Sequence, residues 1–428
     1  MKKKIITTPF DRHREPPKQN PLFMPLIWFL CWLLTRSGRL KIHRERMDGL
    51  KPPFLVLGTH HAFMDFYITP LALFPYRANY ISELEGFENF GEWLYRQAGC
   101  LGTRKFVNDI ALVKNIKRVI DSGGILVLYP EARYANVGTS SELPESVGKL
   151  SKLLDVPLVT INMRGNYLQS PIWNLKKRRA ARLETTITQL FTREELRAAS
   201  IEEINAQVRE ALAYDEYEWQ YTNQIRIDDA WRAEGLELVL YQCPHCSSEF
   251  RMQTRGAELS CGVCRSRWHM TELGTLENIT DEPEENVGFS HIPDWYEWQR
   301  AQVIREIDEG RYRLNIDVHI ESLPNAKNFI DLGAGRLVHS RDGFSLTFKE
   351  YGEDMEKTLH FAPSSMFSIH TEYNYRGKGQ CVTLSTLDNT YFIFPLGLGF
   401  NATKIQFATE YIYYSYKMAI AKRYSSSL

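Results

Sequence analysis

Between residues 54 and 188 short apolar runs alternate with amphipathic stretches. Strand-like runs occupy 54–58, 78–82, 124–129, 157–163 and 183–188, and helix-like segments fall near 65–74, 87–98, 108–121 and 145–154. In the third helical segment Ile110, Val113, Ile116 and Ile120 recur at helical spacing, and Gly123-Gly124 ends it. This alternation predicts an α/β layer fold built on a largely parallel sheet. From Thr192 the pattern turns helical. Thr192 with Glu195, and Ser200 with Glu203, fit the capping box and predict two helix starts. The aromatic stretch 214–221 reads as packing surface. A further amphipathic helix is expected near 294–308.

The pattern changes again from Arg311. Short β-type runs recur at 314–320, 344–348, 357–361, 366–372, 380–385 and 390–394, separated by turn signals such as Arg341-Asp-Gly343. A helix-compatible segment, 401–422, follows them. Strands capped by one helix resemble a pleckstrin-homology-like barrel in layout, without a residue signature.

The chain has 428 residues and a formal net charge of zero, so two to four domains are expected and the overall charge names no partner. Its distribution is more informative. Eleven Lys and Arg stand against four Asp and Glu in the first fifty residues, flanking an uncharged stretch, 19–35, rich in Phe, Trp and Leu. Pro21 and Pro25 shorten its continuous part. Three readings compete: a monotopic segment in the cytoplasmic leaflet, a true span, and a buried core helix. The first is the expectation, placing the protein peripherally or monotopically on the cytoplasmic face of a membrane. Lys176-Lys-Arg-Arg179 and Arg182 form a second basic cluster, read as a solvated loop or a contact for lipid headgroups or an acyl carrier.

Of seven cysteines, four form Cys243-Pro-His-Cys246 and Cys261-Gly-Val-Cys264. Two Cys-X2-Cys knuckles separated by fourteen residues predict a zinc ribbon with one structural, tetrahedral Zn2+ held by Cys243, Cys246, Cys261 and Cys264. Arg251, Arg255, Arg265 and Arg267 give the ribbon a basic face but no basic-aromatic stripe, so nucleic acid is not an expected partner.

The apolar run 54–58 is followed at once by His60, His61 and Asp65. The carboxyl end of a strand is where open α/β sheets keep ligand crevices. On a regular helix five residues turn about 500°, so His60 and Asp65 would diverge by roughly 140°. They meet only if His60 lies in the strand–helix turn and Asp65 in the first helical turn. His61 and Asp65 would instead share a helix face. Geometry leaves both pairs open.

Three further blocks follow: Gly99-Cys-Leu-Gly-Thr-Arg104, Tyr129-Pro-Glu-Ala-Arg133 and Val156-Pro-Leu-Val-Thr-Ile161. With His-X4-Asp they resemble, in order and spacing, the glycerolipid acyltransferase family of the 1-acyl-glycerol-3-phosphate (lysophosphatidate) type. The resemblance covers roughly residues 20–190. Thr59 stands where the family has Asn, Tyr129 for Phe, Ala132 for Gly and Thr160 for Pro, and Arg133 falls one residue before the family's Arg.

The resemblance implies a membrane-associated O-acyltransferase that moves a fatty acyl group from acyl-CoA or acyl carrier protein to lysophosphatidate, giving phosphatidate in phospholipid biosynthesis. His60 would take the acceptor's hydroxyl proton, its ordinary pKa lying near roughly 6.5. Asp65 would orient the ring and stabilise the imidazolium. Arg104 and Arg133 would hold the acceptor's phosphate, and Glu131 its glycerol hydroxyl or the arginines. His61 is the rival base. Another lysolipid or glycerol 3-phosphate is the alternative acceptor, and an inert membrane adaptor the alternative from another class. The expected organisation is a membrane-associating segment (1–50), an acyltransferase domain (51–235), the zinc ribbon (236–276), an acidic linker and helix (277–309) and a β-rich domain (310–428).

Overall fold

The computed structural model describes residues 5–174, 176, 178–280, 288–397 and 399–425, with side chains described through residue 420. Lys2, Lys3, Lys4, Lys177 and the acidic stretch with Asp281, Glu282, Glu284 and Glu285 lie outside the described residues.

Among the described residues the first sheet has seven strands: β1 (Lys41–Glu45), β2 (Phe54–Gly58), β3 (Asn79–Glu83), β4 (Cys100–Thr103), β5 (Ile125–Leu128), β6 (Leu158–Arg164) and β7 (Glu184–Phe191). Their spatial order is β1-β7-β6-β2-β5-β3-β4. The five strands from β6 to β4 run parallel, as expected. β7 is antiparallel to β6, and β1 runs parallel to β7. β2 is buried on both faces, which is why it reads as an unbroken apolar run. Phe54 and Val56 join one core with Val127 and Ile161, while Leu55 and Leu57 join the opposite core with Leu126 and Leu158. The period of two is the pleat of the strand.

β1 lies inside the segment assigned to membrane association. Its sequence, Lys-Ile-His-Arg-Glu, is mostly exposed at the sheet edge and carries no apolar signal. The apolar stretch before it forms the helix Met24–Thr35, of 12 residues. No described helix is long and apolar enough to cross a membrane. The single helix expected near 87–98 is two, Leu84–Phe90 and Glu92–Gln97, because Gly91 takes φ +90° between them. Both capping boxes form, at Thr192 and Ser200.

The ribbon is a four-stranded antiparallel sheet, β8 (Met252–Arg255), β9 (Glu258–Cys261), β10 (Arg267–Met270) and β11 (Leu276–Asn278). β11 extends it past the expected limit at residue 276. The helix Ile292–Asp308 packs on it through Trp268 and Trp295, with ring centroids 4.8 Å apart.

The third sheet is also seven-stranded and antiparallel: β12 (Leu314–Ser322), β13 (Ile330–Ser340), β14 (Gly343–Lys349), β15 (Glu356–Phe361), β16 (His370–Glu372), β17 (Cys381–Ser385) and β18 (Thr390–Pro395). Its order is β15-β14-β13-β12-β18-β17-β16, and the helix Ala402–Ser425 follows. The apolar pattern does not announce β13. Gly333, at φ +77°, faces a register shift in β12, and Gly335 packs so closely against Ile320 and Thr347 that a Cβ has no room. One continuous core joins the ribbon, the helix Ile292–Asp308, the third sheet and the final helix.

Candidate active site and metal centre

His60 and Asp65 meet at the carboxyl end of β2. His60 lies in the turn and Asp65 opens the helix Asp65–Ala72. His60 Nδ1 stands 3.0 Å from Asp65 Oδ2. The same carboxylate accepts from the main-chain N–H groups of His61 (2.7 Å) and Ala62, and from the Asn166 amide. Burial pushes the Asp65 carboxyl up, and these donors oppose that by favouring the carboxylate. With the carboxylate at Nδ1, the proton of a neutral imidazole sits there and the lone pair points from Nε2. Nε2 makes no hydrogen bond among the described residues.

The ring is clamped between aromatics. Tyr129 stacks on it at 4.6 Å and 17°, and Tyr134 lies at 4.6 Å on a tilt. Burial, and next the positive charge of Lys105, lower the His60 pKa to about 3, so the ring is an uncharged base at neutral pH.

His61 is placed differently. It is fully buried, stacked on Tyr214 at 3.8 Å, with Nδ1 3.8 Å from Glu216. Its ring stands apart from Asp65, which it touches only through its main-chain N–H.

Glu131 supports the turn. Its carboxylate accepts from the His60 N–H at 3.0 Å, the Ser141 N–H at 2.9 Å and the Tyr214 hydroxyl at 3.0 Å. All three donors are the protein's own, so Glu131 braces the turn behind the base. It also lines a cavity of about 490 Å³ with Arg133, Asn136, Tyr296, Arg300 and Glu410.

The two arginines expected to hold a phosphate are engaged elsewhere. Arg104 donates to the carbonyls of Leu323 (2.9 Å), Pro324 (2.7 Å), Asp388 (3.0 Å) and Leu387 (3.4 Å), and to Thr390 Oγ1 (3.0 Å). That guanidinium is saturated by the third sheet and its loops. Arg133 pairs with Glu410 of the final helix at 3.2 Å, and Arg300 binds the other oxygen of that carboxylate at 2.5 Å. Arg104 is thus turned to the third sheet, whereas Arg133 lines the cavity while its guanidinium pairs with Glu410 and donates to Tyr134 O at 3.4 Å.

Sequence reasoning did not find Asn166, Tyr134 or Tyr214. Asn166 follows β6, 101 residues from the carboxylate it holds. The usable signal was Gly165 at the end of an apolar strand, which marks a turn at the same sheet edge as His60.

The four ribbon cysteines converge. Cys243 and Cys264 Sγ are 3.6 Å apart, and Cys246 and Cys261 Sγ 3.7 Å. These gaps are far longer than a disulfide of about 2.05 Å and close to the edge, about 3.8 Å, of a tetrahedron with zinc–sulfur bonds of about 2.3 Å. The two knuckles are built alike. Ser247 N–H donates to Cys243 O and Arg265 N–H to Cys261 O, with Ser247 and Arg265 both at positive φ. Each second cysteine has a serine hydroxyl near its sulfur, Ser248 at 3.1 Å and Ser266 at 3.2 Å. This is a metal-binding geometry consistent with zinc.

No protein-family model and no curated protein matches the chain. Among solved structures it is similar to the 1-acyl-sn-glycerophosphate (LPA) acyltransferase PlsC of Thermotoga maritima, at 15% identity and a TM-score of 0.37. The match covers 44% of this chain and 76% of that one.

Proposed function

We propose that the protein transfers an acyl group from a thioester, acyl-CoA or acyl carrier protein, to a lipid hydroxyl. The observation that carries this reading is His60 Nδ1 at 3.0 Å from an Asp65 carboxylate that is itself held by three further donors. A hydroxyl is too weak an acid to ionise at neutral pH, so its attack on a thioester needs a base at the reacting oxygen. His60 Nε2 takes the proton as the oxygen–carbon bond forms. Asp65 stabilises the imidazolium, which returns the proton as the thiolate leaves. The enzyme contributes no nucleophile of its own.

The expected acceptor is lysophosphatidate. The engagement of Arg104 and Arg133 favours a second reading, in which the acceptor is a lysolipid whose headgroup is not a bare phosphomonoester. Membrane attachment belongs to the same proposal. Leu26, Phe29, Trp32 and Leu33 of the helix Met24–Thr35 are exposed, and Trp28 packs edge-on against exposed Phe74 at 4.9 Å. Exposed Phe63 contacts Phe66, which contacts the His60 ring, so apolar surface reaches the dyad. Arg36 lies over Trp32, an arrangement suited to an anionic lipid interface.

Full-length protein in lipid or detergent, given labelled acyl-CoA or acyl carrier protein and a panel of lysolipids, is expected to form a diacyl product. His60→Ala is expected to lose at least about a hundredfold in kcat with the fold retained. Unchanged turnover in that variant would remove His60 from the mechanism, and turnover with no acceptor and neither donor would favour the adaptor reading.

A further inference from the structure

His61 and the aromatic stretch that begins at Tyr214 meet behind the dyad. Tyr214 lies between the helices Ile201–Ala211 and Glu216–Thr222. Its carbonyl accepts from the Ser140 N–H at 3.3 Å, and the Glu216 N–H donates to Gly138 O at 2.8 Å, so the segment is anchored to the loop that follows Glu131. From there the Tyr214 hydroxyl donates to Glu131 Oε2 at 3.0 Å, and Glu131 Oε1 accepts the His60 N–H at 3.0 Å. The Tyr214 ring is stacked on the His61 ring at 3.8 Å and 25°, and the His61 N–H donates to Asp65 Oδ2 at 2.7 Å. Glu216 adds a third tie. Its Oε2 accepts the Gly165 N–H at 2.7 Å, beside Asn166, whose amide donates to Asp65 Oδ1.

We propose that Tyr214 and His61 are a stacked positioning pair for the His60–Asp65 dyad, Tyr214 through its hydroxyl on Glu131 and His61 through its main-chain N–H on Asp65, and that the His61 ring is a packing face and not a base. The catalytic consequence rests on the acyl-transfer reading above. His60 and His61 lie in the turn between β2 and the helix Asp65–Ala72, where the repeating bonds of strand and helix are lacking. Carboxylates hold their N–H groups instead, Glu131 for His60 and Asp65 for His61. A carboxylate turns about its stem unless its other lone pairs are also taken, and Tyr214 takes one at Glu131. Such charge-assisted bonds are the strong ones.

The surroundings of the His61 ring separate it from a base. Its Nδ1 is 3.8 Å from Glu216, beyond hydrogen-bond reach, and neither ring nitrogen has a hydrogen-bond partner among the described residues. His61 is 0% exposed and His60 7%, so of the two rings His60 is the one that a reacting hydroxyl can touch. What the His61 ring offers is its face, against which Tyr214 is seated with its hydroxyl aimed at Glu131. A misplacement of about 1 Å at a reacting group costs on the order of a hundredfold in rate, which sets the scale of what a loosened turn would lose.

The test uses full-length protein with ring-labelled histidine. It reads kcat and KM, and by NMR the His60 Nδ1–H proton that faces Asp65, assigned by its loss in His60→Gln. Tyr214→Phe keeps the stack and removes only the hydroxyl. It is expected to move the His60 signal and to lower kcat on the order of tenfold with KM little changed. His61→Ala removes the face under Tyr214 and is expected to lose more, up to about a hundredfold, while His61→Phe returns a flat face and restores most of the loss. Folded His61→Phe as inactive as His60→Ala would make His61 a base and overturn the proposal. So would a His60 signal unchanged in either folded Tyr214→Phe or folded His61→Ala. If His61→Ala fails to fold, the two phenylalanine variants, which conserve shape, decide. A displaced His60 signal in protein that acylates nothing upholds the pair and sinks the acyl-transfer reading; acyl transfer with unmoved signals does the reverse.

Discussion

Ala132 holds a backbone conformation that its side chain makes costly, with φ +57° in the turn that delivers Glu131 to the back of His60. A left-handed L-residue costs roughly 1–2 kcal/mol, partly offset because glycine is more flexible when unfolded. Ala132→Gly is therefore expected to raise stability by about 0.5 kcal/mol in urea denaturation, and a loss would show that the Ala132 methyl packs favourably. Asn166 makes the opposite case. Hydrogen bonds to charged groups contribute about 1.5–3 kcal/mol, so Asn166→Leu is expected to lower kcat on the order of tenfold or more. Steady-state kinetics should show KM little changed, because the lost donor orients the base and does not touch the acceptor.

At the scale of elements, Glu410 fastens the final helix to the rest of the molecule. It is buried, it receives Arg133, Arg300 and Ser368, and the two arginines depress its pKa. Removing one charge from a buried pair costs about 3–5 kcal/mol, so Glu410→Gln is expected to destabilise by about 3 kcal/mol in chemical denaturation. The sign with pH follows from the depressed pKa. The stabilisation is present above the ordinary glutamate range and is lost as pH falls through the lower folded value. A stability curve that does not flatten on the acid side in Glu410→Gln would contradict this.

The same scale shows what the residues could announce. The strands β2 and β5 were legible because burial on both faces leaves continuous apolar runs, and both capping boxes because their partners stand three residues apart. His60 and Asp65 were legible for the same reason of short range. The partners of Arg104 were not. Leu323 and Thr390 lie 219 and 286 residues away, and an arginine that grips carbonyls reads like one that would grip phosphate. β1 was hidden because an exposed edge strand has no apolar face to alternate, and β13 because Gly333 serves a positive φ and Gly335 a close approach, neither of which carries an apolar signal.

In the whole molecule the ribbon is structural tissue. Its tryptophan, Trp268, and two of its cysteines, Cys243 and Cys261, belong to the core shared with the third sheet. One zinc per chain is expected by elemental analysis. Binding at such sites contributes about 10–16 kcal/mol at neutral pH, so chelation or Cys261→Ser should lower the melting temperature of the full-length protein and loosen more than the ribbon. A melting curve unaffected by metal removal would mean that the shared core holds without the ion.

The grip of Arg104 on Leu323, Pro324 and Asp388 also has a meaning in time. Synthesis runs from the amino end, so the sheet that carries His60 leaves the ribosome long before the carbonyls that will satisfy Arg104 exist. Phe10 N–H bonds Pro324 O, and Asn325 bonds the carbonyls of Ile6 and Thr8, so the earliest residues also wait for the same late loop. Until then the nascent protein carries a guanidinium without its partners. The sheet that carries His60 is made early and is completed only once this later loop has been made.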